Sequence, residues 1–302
     1  NKIERARFLF ILNYRLMKET ELICNDDGSI FHLRLRPGEA GKKIIIVGDP
    51  GRVDMIAQHL DNIRVKKNNR EFFTVTGDFK NKEISIISSG IGTDNIDILL
   101  NELDAIFNYD LETGQELKEK TSLTIVRLGT SGGLQPELYP GEPIISEKAI
   151  GFDSVMNYYR GIEEITDSAF ESAFMRHTSW HARLPRPYIV NASKDLLEKF
   201  SKTGFVKGMT ISTPGFYAPQ GRMISLEPAD KELNDKIMTF TYEGRQILNY
   251  EMESSAIYGL SSLLGHKAIT ICLAIGNRVS GKFLNDYKPL MNELAVKVLE
   301  II

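Results

Sequence analysis

Short apolar runs alternate with amphipathic stretches along most of the chain, which is typical of strands that alternate with helices. Residues 44–47 predict a strand, and residues 53–60 carry apolar positions at helical spacing. Residues 268–275 are almost wholly apolar, as expected for a central strand that is buried on both faces. The further strands predicted in this way are 72–76, 84–88, 123–127, 143–150, 188–192, 208–212 and 247–250. The further helices predicted are one that ends near residue 107, then 194–201, 254–264 and one from about residue 289.

This alternation predicts an α/β fold, a single domain with a central mixed β-sheet flanked by helices. No linker or internal repeat divides the chain. The domain is predicted to cover residues 31–302, with residues 1–30 as an N-terminal extension. Residues 109–120 are polar and predict a surface excursion. Ligands of such a sheet are expected at the loops that follow the strands.

Composition narrows the class of partner. Hydrophobic residues make up 42% of the chain and charged residues 25%, which are ordinary globular values. The chain has 37 Lys and Arg residues and 40 Asp and Glu residues, so it has no overall positive charge that would favour binding of a nucleic-acid polymer. Cys24 and Cys272 have no zinc or disulfide spacing, and no apolar run has the length of a signal peptide or membrane span. A cytoplasmic protein with a small-molecule ligand and no metal is expected.

Three Gly-rich segments each follow a predicted strand: GDPGR at 48–52, SGIGT at 89–93 and RLGTSGG at 127–133. A Gly-rich turn can present successive backbone N–H groups to an anion, although an isolated turn more often needs glycine for steric reasons alone. Arg52 and Arg127 accompany two of the segments, and arginine suits bidentate binding of phosphate or carboxylate. These two segments are therefore predicted to converge on one phosphate.

Two other phosphate-binding motifs do not match. The segment that begins at Gly90 starts as GxG, but Asn95 stands where the dinucleotide fingerprint needs its third glycine. No GxxxxGK[ST] sequence is present. A nicotinamide enzyme and a P-loop ATPase are therefore disfavoured.

Glu251 and Glu253 form the second chemical feature. In an extended segment residues two apart point the same way, so both carboxylates could meet one polar ligand such as a sugar diol. The alternative is a favourable negative charge near the start of the helix predicted from Ser254. Met252 between them favours a pocket.

Five segments, in this order, resemble the nucleoside phosphorylase-I family: GDPGR at 48–52, NREF at 69–72, RLGTSGG at 127–133, FYAPQGR at 216–222 and YEMES at 250–254. The resemblance extends from about residue 31 to the end of the chain. It implies reversible phosphorolysis, in which phosphate attacks the anomeric carbon of a nucleoside while the base leaves. Phosphate is then a co-substrate and no cofactor is expected. It also implies a homo-oligomer, a dimer or a hexamer built from dimers, with shared active sites.

The resemblance also assigns roles to individual residues. Those implied to bind phosphate are Gly48, Arg52, Arg127, Thr130 and, from a neighbouring subunit, Arg70. Those implied to bind ribose are Thr130, Met252, Glu253 and, from the partner subunit, His32. Those implied to bind the base are Phe216, Gln220 and Arg222. The residues expected to act in catalysis are Arg127, Arg222 and Glu253.

A pyrimidine base is expected because the Gln220 amide offers a donor and an acceptor to the O2/N3 edge while Arg222 donates to a carbonyl. Asn277 stands where purine-specific relatives place an Asp suited to protonating N7. The expected reaction converts uridine to uracil and ribose 1-phosphate in nucleoside salvage. The alternatives are a purine phosphorylase or a nucleosidase of the same fold, or a catalytically silent nucleoside-binding protein. Asn95 replaces a Ser that helps some bacterial relatives bind a monovalent cation, so that ion is not predicted.

Overall fold

The computed structural model describes residues 17–302 as one α/β unit, so the first sixteen residues of the predicted extension lie outside the described residues. The strands are β1 Lys43–Val47, β2 Asp61–Asn69, β3 Phe72–Phe79, β4 Lys82–Ser88, β5 Tyr109–Asp110, β6 Gln115–Glu116, β7 Thr124–Gly133, β8 Pro143–Gly151, β9 Tyr188–Asn191, β10 Val206–Ser212, β11 Thr241–Tyr242, β12 Arg245–Glu251 and β13 Lys267–Asn277. The α-helices are α1 Pro50–Ala57, α2 Thr93–Asn108, α3 Ile162–Ile165, α4 Ser168–Thr178, α5 Lys194–Phe200, α6 Leu233–Thr239, α7 Ser254–Leu263 and α8 Lys288–Ile301. Short 3-10 turns cover Val155–Tyr158, Ser201–Thr203 and Ala218–Gln220.

Eleven strands form one mixed sheet in the order β11-β12-β10-β8-β13-β7-β1-β4-β3-β2, with β9 paired to β8. β12 also pairs antiparallel with β7, where Tyr250 lies opposite Gly132. This extra pairing closes β7, β13, β8, β10 and β12 into a ring. Helices α1 and α7 pack on the sheet. The predicted fold class, a central mixed sheet flanked by helices, is confirmed.

Burial explains why the central strands were predictable from the sequence. β13 is buried from Ala268 to Ala274 between β7 and β8, which matches its apolar sequence. β2 was not predicted, because it is an edge strand with mostly exposed side chains and no apolar alternation. Helices α3, α4 and α6 were also not predicted.

Helix α1 begins three residues earlier than predicted. Its N-cap is Asp49, whose side chain accepts a hydrogen bond from the Gly51 backbone N–H at 2.9 Å. Pro50 occupies the first turn, where its missing N–H costs no helical hydrogen bond. The GDPGR segment is therefore partly helical, and Arg52 projects from the first turn of α1.

The segment 129–133, which follows the strand predicted to end at Arg127, was predicted to be a turn, and this prediction is wrong. It is the second half of β7, paired with β13 so that Gly129 lies opposite Cys272. The glycines suggested a turn, but in this strand the missing side chain at Gly129 leaves room for the Arg127 guanidinium. β1 ends opposite Leu128 and β12 joins β7 only at Gly132. Residues 129–131 therefore leave one edge of β7 open at the end of β1.

The predicted excursion at 109–120 contains the small β5–β6 hairpin and is mostly exposed. Within the described part of the extension, Ile30 is buried in the main core and pairs with Cys24. The domain boundary at residue 30 stays a prediction. No helix among residues 17–302 is long and apolar enough to span a membrane.

Candidate active site

A cavity of about 1020 Å³ opens where the parallel strands β1, β4, β7 and β13 end and where β12 meets them. This is the edge at which open α/β sheets bind ligands. Nine of the eleven residues assigned to the site from the sequence line this cavity: Gly48, Arg52, Arg127, Thr130, Phe216, Gln220, Arg222, Met252 and Glu253. The other two, His32 and Arg70, do not line it.

One end of the cavity carries two arginines from different elements. Arg52 is buried, and its Nη1 donates to the backbone oxygen of Leu128 at 3.1 Å. That oxygen lies where β1 stops, so Arg52 rests beside the open edge of β7. Arg127 projects from β7 itself, and Thr130 follows it on the same strand. This end therefore places two guanidinium groups next to the open strand edge, and such groups suit an anion.

The Arg127 guanidinium lies between two buried carboxylates. It donates to Glu253, and its Nη1 is 3.1 Å from Glu251 Oε2 and 3.2 Å from the Cys272 sulfur. Burial alone would lower the pKa of Arg127, but the carboxylates of Glu253 and Glu251 raise it above its ordinary value. Arg127 is therefore charged, and because a guanidinium has five N–H donors, some remain for a ligand. A side chain at Gly129 would collide with this guanidinium.

The two carboxylates play different parts. Glu251 accepts hydrogen bonds from the backbone N–H groups of Glu253 and Ser254, each at 3.0 Å, and from the Ser212 hydroxyl. It therefore caps the start of α7, as the alternative based on the helix terminus proposed. Glu253 accepts from the Gly92 backbone N–H at 2.8 Å as well as from Arg127. Burial raises the pKa of Glu253 above its ordinary value, although Arg127 opposes the rise.

The other end of the cavity carries an amide and a guanidinium. Gln220 is buried, and its Oε1 accepts a hydrogen bond from Arg222. Arg222 also donates to the Phe216 backbone oxygen at 2.5 Å, and its guanidinium carbon lies 3.6 Å from the centre of the Phe216 ring. Phe216 is one of the residues implied to bind the base, and in this structure Arg222 covers a face of its ring. Burial and the charge of Arg278 lower the pKa of Arg222 to about 10.

Arg278 is a site residue that the sequence reasoning missed. It lines the cavity, and its Nη2 lies 3.4 Å from Gln220 Oε1. Neither Arg222 nor Arg278 forms an ion pair with any residue that the structure describes. The available signal was an arginine shortly after the almost wholly apolar run at 268–275.

Asn277 serves the backbone. Its Nδ2 donates to the carbonyl oxygens of Gln135 and Leu138 at 2.8 and 2.7 Å. Its Oδ1 accepts from the N–H groups of Val279 and Ser280 at 2.9 and 2.8 Å. These contacts hold the loop after β13 in place, so the Asn277 side chain shapes the end of the cavity that carries Gln220 and Arg222.

His32 and Arg70 lie together outside their own chain's cavity. The His32 Nδ1 is 2.6 Å from Glu102 Oε1, so Nδ1 donates to this carboxylate. The Asn69 amide donates to the His32 backbone oxygen at 2.8 Å, and Arg70 follows in an exposed turn. The two residues therefore share one surface of the chain.

A family model described as the phosphorylase superfamily matches residues 42–300. The chain belongs to the phosphorylase superfamily. This confirms the resemblance to the nucleoside phosphorylase-I family that the five segments indicated. No group of three or more His, Cys, Asp or Glu residues within 17–302 is arranged to hold a metal ion.

Individual relatives are moderately similar along most of their length. The uridine phosphorylase of Thermococcus kodakarensis is 27% identical over 290 residues, 91% of this chain and 88% of that protein. The uridine phosphorylase of Haemophilus influenzae is 26% identical, over 85% of this chain and 90% of that protein. A DeoD-type purine nucleoside phosphorylase of Listeria monocytogenes is 23% identical, over 89% and 97%.

Solved structures give the same picture. A Trypanosoma brucei nucleoside phosphorylase, described as showing uridine phosphorylase activity, superposes with a TM-score of 0.84 at 28% identity, covering 92% of this chain and 98% of that one. A purine nucleoside phosphorylase of Toxoplasma gondii superposes with a TM-score of 0.63 at 20% identity, covering 92% and 97%, and shares the fold.

Proposed function

We propose that this chain is a pentosyltransferase that catalyses the reversible phosphorolysis of uridine to uracil and ribose 1-phosphate. The observation that carries the proposal is one cavity that holds paired arginines at one end, Glu253 in the middle and the Gln220–Arg222 pair at the other. Uridine phosphorylases among the similar proteins support it. Pyrimidine nucleoside salvage in the cytoplasm is the setting that we propose, with phosphate as co-substrate and no further cofactor.

Phosphate would bind at the arginine end. Arg52 and Arg127 would contact its oxygens, and Gly48 and Thr130 would supply backbone and hydroxyl groups from the neighbouring strand ends. Phosphate itself attacks the anomeric carbon, so no protein nucleophile is needed. Its negative charge would also support the positive charge that develops on the sugar, because glycosyl transfer passes through an oxocarbenium-like transition state.

Ribose would lie between the two ends, against Met252 and Glu253. Each Glu253 oxygen already accepts one hydrogen bond, Oε1 from Gly92 and Oε2 from Arg127. A carboxylate has about four lone-pair sites, so two remain for sugar hydroxyls. Because Arg127 bonds to Glu253, phosphate and sugar recognition would be coupled through one guanidinium.

The base would lie against Gln220. Arg222 donates to Gln220 Oε1, and Arg278 Nη2 lies 3.4 Å from the same oxygen. When both guanidinium groups turn from this oxygen to the base carbonyls, the three side chains would present a donor–acceptor–donor array. The O4, N3–H and O2 edge of uracil presents the complementary acceptor–donor–acceptor pattern. Arg222 would also stabilise negative charge on the departing base, a role that contributes roughly 2.7 to 4 kcal/mol per donor.

The active site would be shared between subunits of a homo-oligomer. His32 and Arg70 lie on one surface and outside their own cavity, so a second copy is needed to bring them to the substrate. His32 Nε2 would then meet the 5′-hydroxyl, and Arg70 would meet phosphate. A dimer satisfies this arrangement, and a hexamer built from dimers does so as well.

Three alternatives to a uridine phosphorylase differ in what they require of the cavity. A nucleosidase has little use for several arginines aimed at an anion, and a silent nucleoside-binding protein does not need an intact phosphate end. A purine phosphorylase is a relative by sequence, but Asn277 is an amide without an acidic proton, and its side chain is engaged with four backbone groups, so it would not protonate a purine. These contacts favour a pyrimidine substrate.

The test is a panel of uridine, thymidine, inosine and adenosine, incubated with and without inorganic phosphate, with free base measured by chromatography. Phosphate-dependent release of uracil from uridine is the expected result. Release that does not need phosphate would identify a nucleosidase, and preferred release of hypoxanthine or adenine a purine phosphorylase. Calorimetric binding of uridine without turnover would identify a silent binding protein.

A further inference from the structure

Thr213 lies directly behind the base end of the cavity without lining it. It follows β10, its side chain is buried, and its backbone N–H donates to the Glu251 carbonyl at 3.0 Å. The Thr213 hydroxyl lies 3.0 Å from Gln220 Nε2 and 2.9 Å from the Gly215 backbone oxygen. Thr213 therefore contacts the residue that reads the base without facing the base itself.

The direction of these hydrogen bonds follows from the number of protons available. A hydroxyl has one proton to donate. The Gly215 carbonyl can only accept, so the Thr213 proton is used there, and the weaker 3.4 Å contact with the Glu251 carbonyl competes for the same proton. Towards Gln220 the hydroxyl can then only accept. Gln220 must turn its NH₂ group towards Thr213 and its oxygen towards the guanidinium groups.

This orientation matters because an amide can be rotated by half a turn with little change of shape, while its donor and acceptor exchange places. With the oxygen forward, Gln220 accepts from a base N3–H, as uracil and thymine offer. With the nitrogen forward, it donates to a base N3 lone pair, as cytosine offers. The selection between the two pyrimidine classes thus depends on what holds the amide from behind.

We infer that Thr213 is a positioning residue that determines base specificity, by fixing Gln220 as the acceptor that reads N3–H. This inference rests on the proposed function. Arg222 and Arg278 favour the same amide orientation, but Arg278 is distant at 3.4 Å, and Arg222 would be drawn to the base carbonyl when substrate binds. Thr213 is the contact that remains unchanged through the reaction, because it lies outside the cavity.

The experiment compares Thr213→Val, which keeps the side-chain shape and removes the hydroxyl, with Thr213→Ser, which keeps the hydroxyl. Steady-state kinetics are measured with uridine and with cytidine at saturating phosphate, and with varied phosphate at saturating uridine. For Thr213→Val we expect kcat/KM for uridine to fall about tenfold, as for loss of one hydrogen bond. We also expect the uridine-to-cytidine ratio of kcat/KM to fall and the KM for phosphate to stay within about twofold. Thr213→Ser should restore the ratio.

The control is Thr178→Val, which removes another fully buried threonine hydroxyl, one that bonds to the Phe174 carbonyl in α4. It should leave both kinetic ratios unchanged. An unchanged uridine-to-cytidine ratio of kcat/KM in Thr213→Val would overturn the inference, even if overall activity drops. Loss of a purely structural contact would lower kcat/KM for both substrates by the same factor. A wild-type protein that releases no uracil from uridine would instead refute the proposed function.

Discussion

Arg127 and Glu253 form a buried ion pair inside the cavity, although they lie 126 residues apart in the chain. The pair joins the strand that carries the phosphate end to the start of α7, which carries the sugar contact. Glu251 completes the arrangement by binding the same guanidinium while it caps α7. Local stability and ligand binding therefore depend on the same few groups.

Removing this guanidinium should destabilise the fold. Arg127→Ala leaves Glu251 and Glu253 as buried carboxylates without their shared partner, and we expect the free energy of unfolding to fall by about 3 to 5 kcal/mol. Urea denaturation followed by circular dichroism measures this. Arg245→Ala is the control, because Arg245 forms partly exposed pairs at the surface that contribute less than about 1 kcal/mol. Equal losses in the two variants would contradict the assignment.

Gly129 should be needed for the position of Arg127. A methyl group at Gly129 would collide with the guanidinium, so Gly129→Ala should displace it from both carboxylates. Because a displacement of about 1 Å at a catalytic group can cost a hundredfold, kcat/KM for uridine should fall by about that factor. Gly133→Ala on the same strand is the matched control, since its methyl group would make only ordinary contacts, the nearest at 3.4 Å from the Gly276 oxygen. Wild-type kinetics for Gly129→Ala would show that the guanidinium has room to move.

Arg222 should act on the base and not on phosphate. For Arg222→Ala we expect kcat/KM for uridine to fall about a hundredfold or more, with phosphate affinity nearly intact. Initial rates at varied uridine and varied phosphate separate the two effects. Arg183→Ala, at an exposed position outside the cavity, serves as the control. Unchanged uridine turnover in Arg222→Ala would remove its role in base recognition.

Subunit mixing tests whether the site is shared. Arg70→Ala and Arg222→Ala should each be nearly inactive alone. Arg70→Ala lacks the side chain that would enter the neighbouring subunit's site, and Arg222→Ala lacks a side chain of its own cavity. After joint unfolding and refolding in equal amounts, about a quarter of the sites in random dimers should be intact and activity should return accordingly. Persistent inactivity, with dimers confirmed by light scattering, would place both residues in one subunit's site.

Titration of Asp153 should contribute to the pH dependence of the free energy of unfolding. This carboxyl is buried and accepts hydrogen bonds from Tyr188 and Ser255, and burial raises its pKa above the ordinary value. The folded protein therefore keeps this proton to a higher pH than the unfolded chain does. The free energy of unfolding should fall as pH rises from the unfolded pKa of about 3.9 through the raised folded value. Urea denaturation at several pH values should show this decrease weakened in Asp153→Asn.

The exposed carboxyl Asp110 provides the opposite case. Backbone N–H groups of Thr113 and Glu112 lower its pKa, so its contribution is present above the unfolded pKa and is lost as pH falls. Asp110→Asn should therefore change the pH slope of stability in the other direction. If both variants change the slope of unfolding free energy against pH in the same direction, these slopes do not arise from the two carboxyl groups.

Much of the fold was determined by patterns local in the sequence. An apolar run such as that of β13 is stable only when it is buried, and a strand in the middle of a sheet covered on both faces buries every side chain of such a run. The segments around Arg52, Arg127, Gln220 and Glu253 were assigned to one site by their order and residue types, and the structure brings them to one cavity. Their individual roles in binding and catalysis stay predictions.

Only the tertiary structure decided how these groups are used. Residues 127–133 form a strand because β13 pairs with them, a partner more than a hundred residues away. The engagement of Glu251 with α7, the stacking of Arg222 on Phe216 and the Thr213–Gln220 contact depend on hydrogen-bond geometry. A side chain binds whichever partner the fold places within about 3 Å, and residue type does not reveal which partner that is.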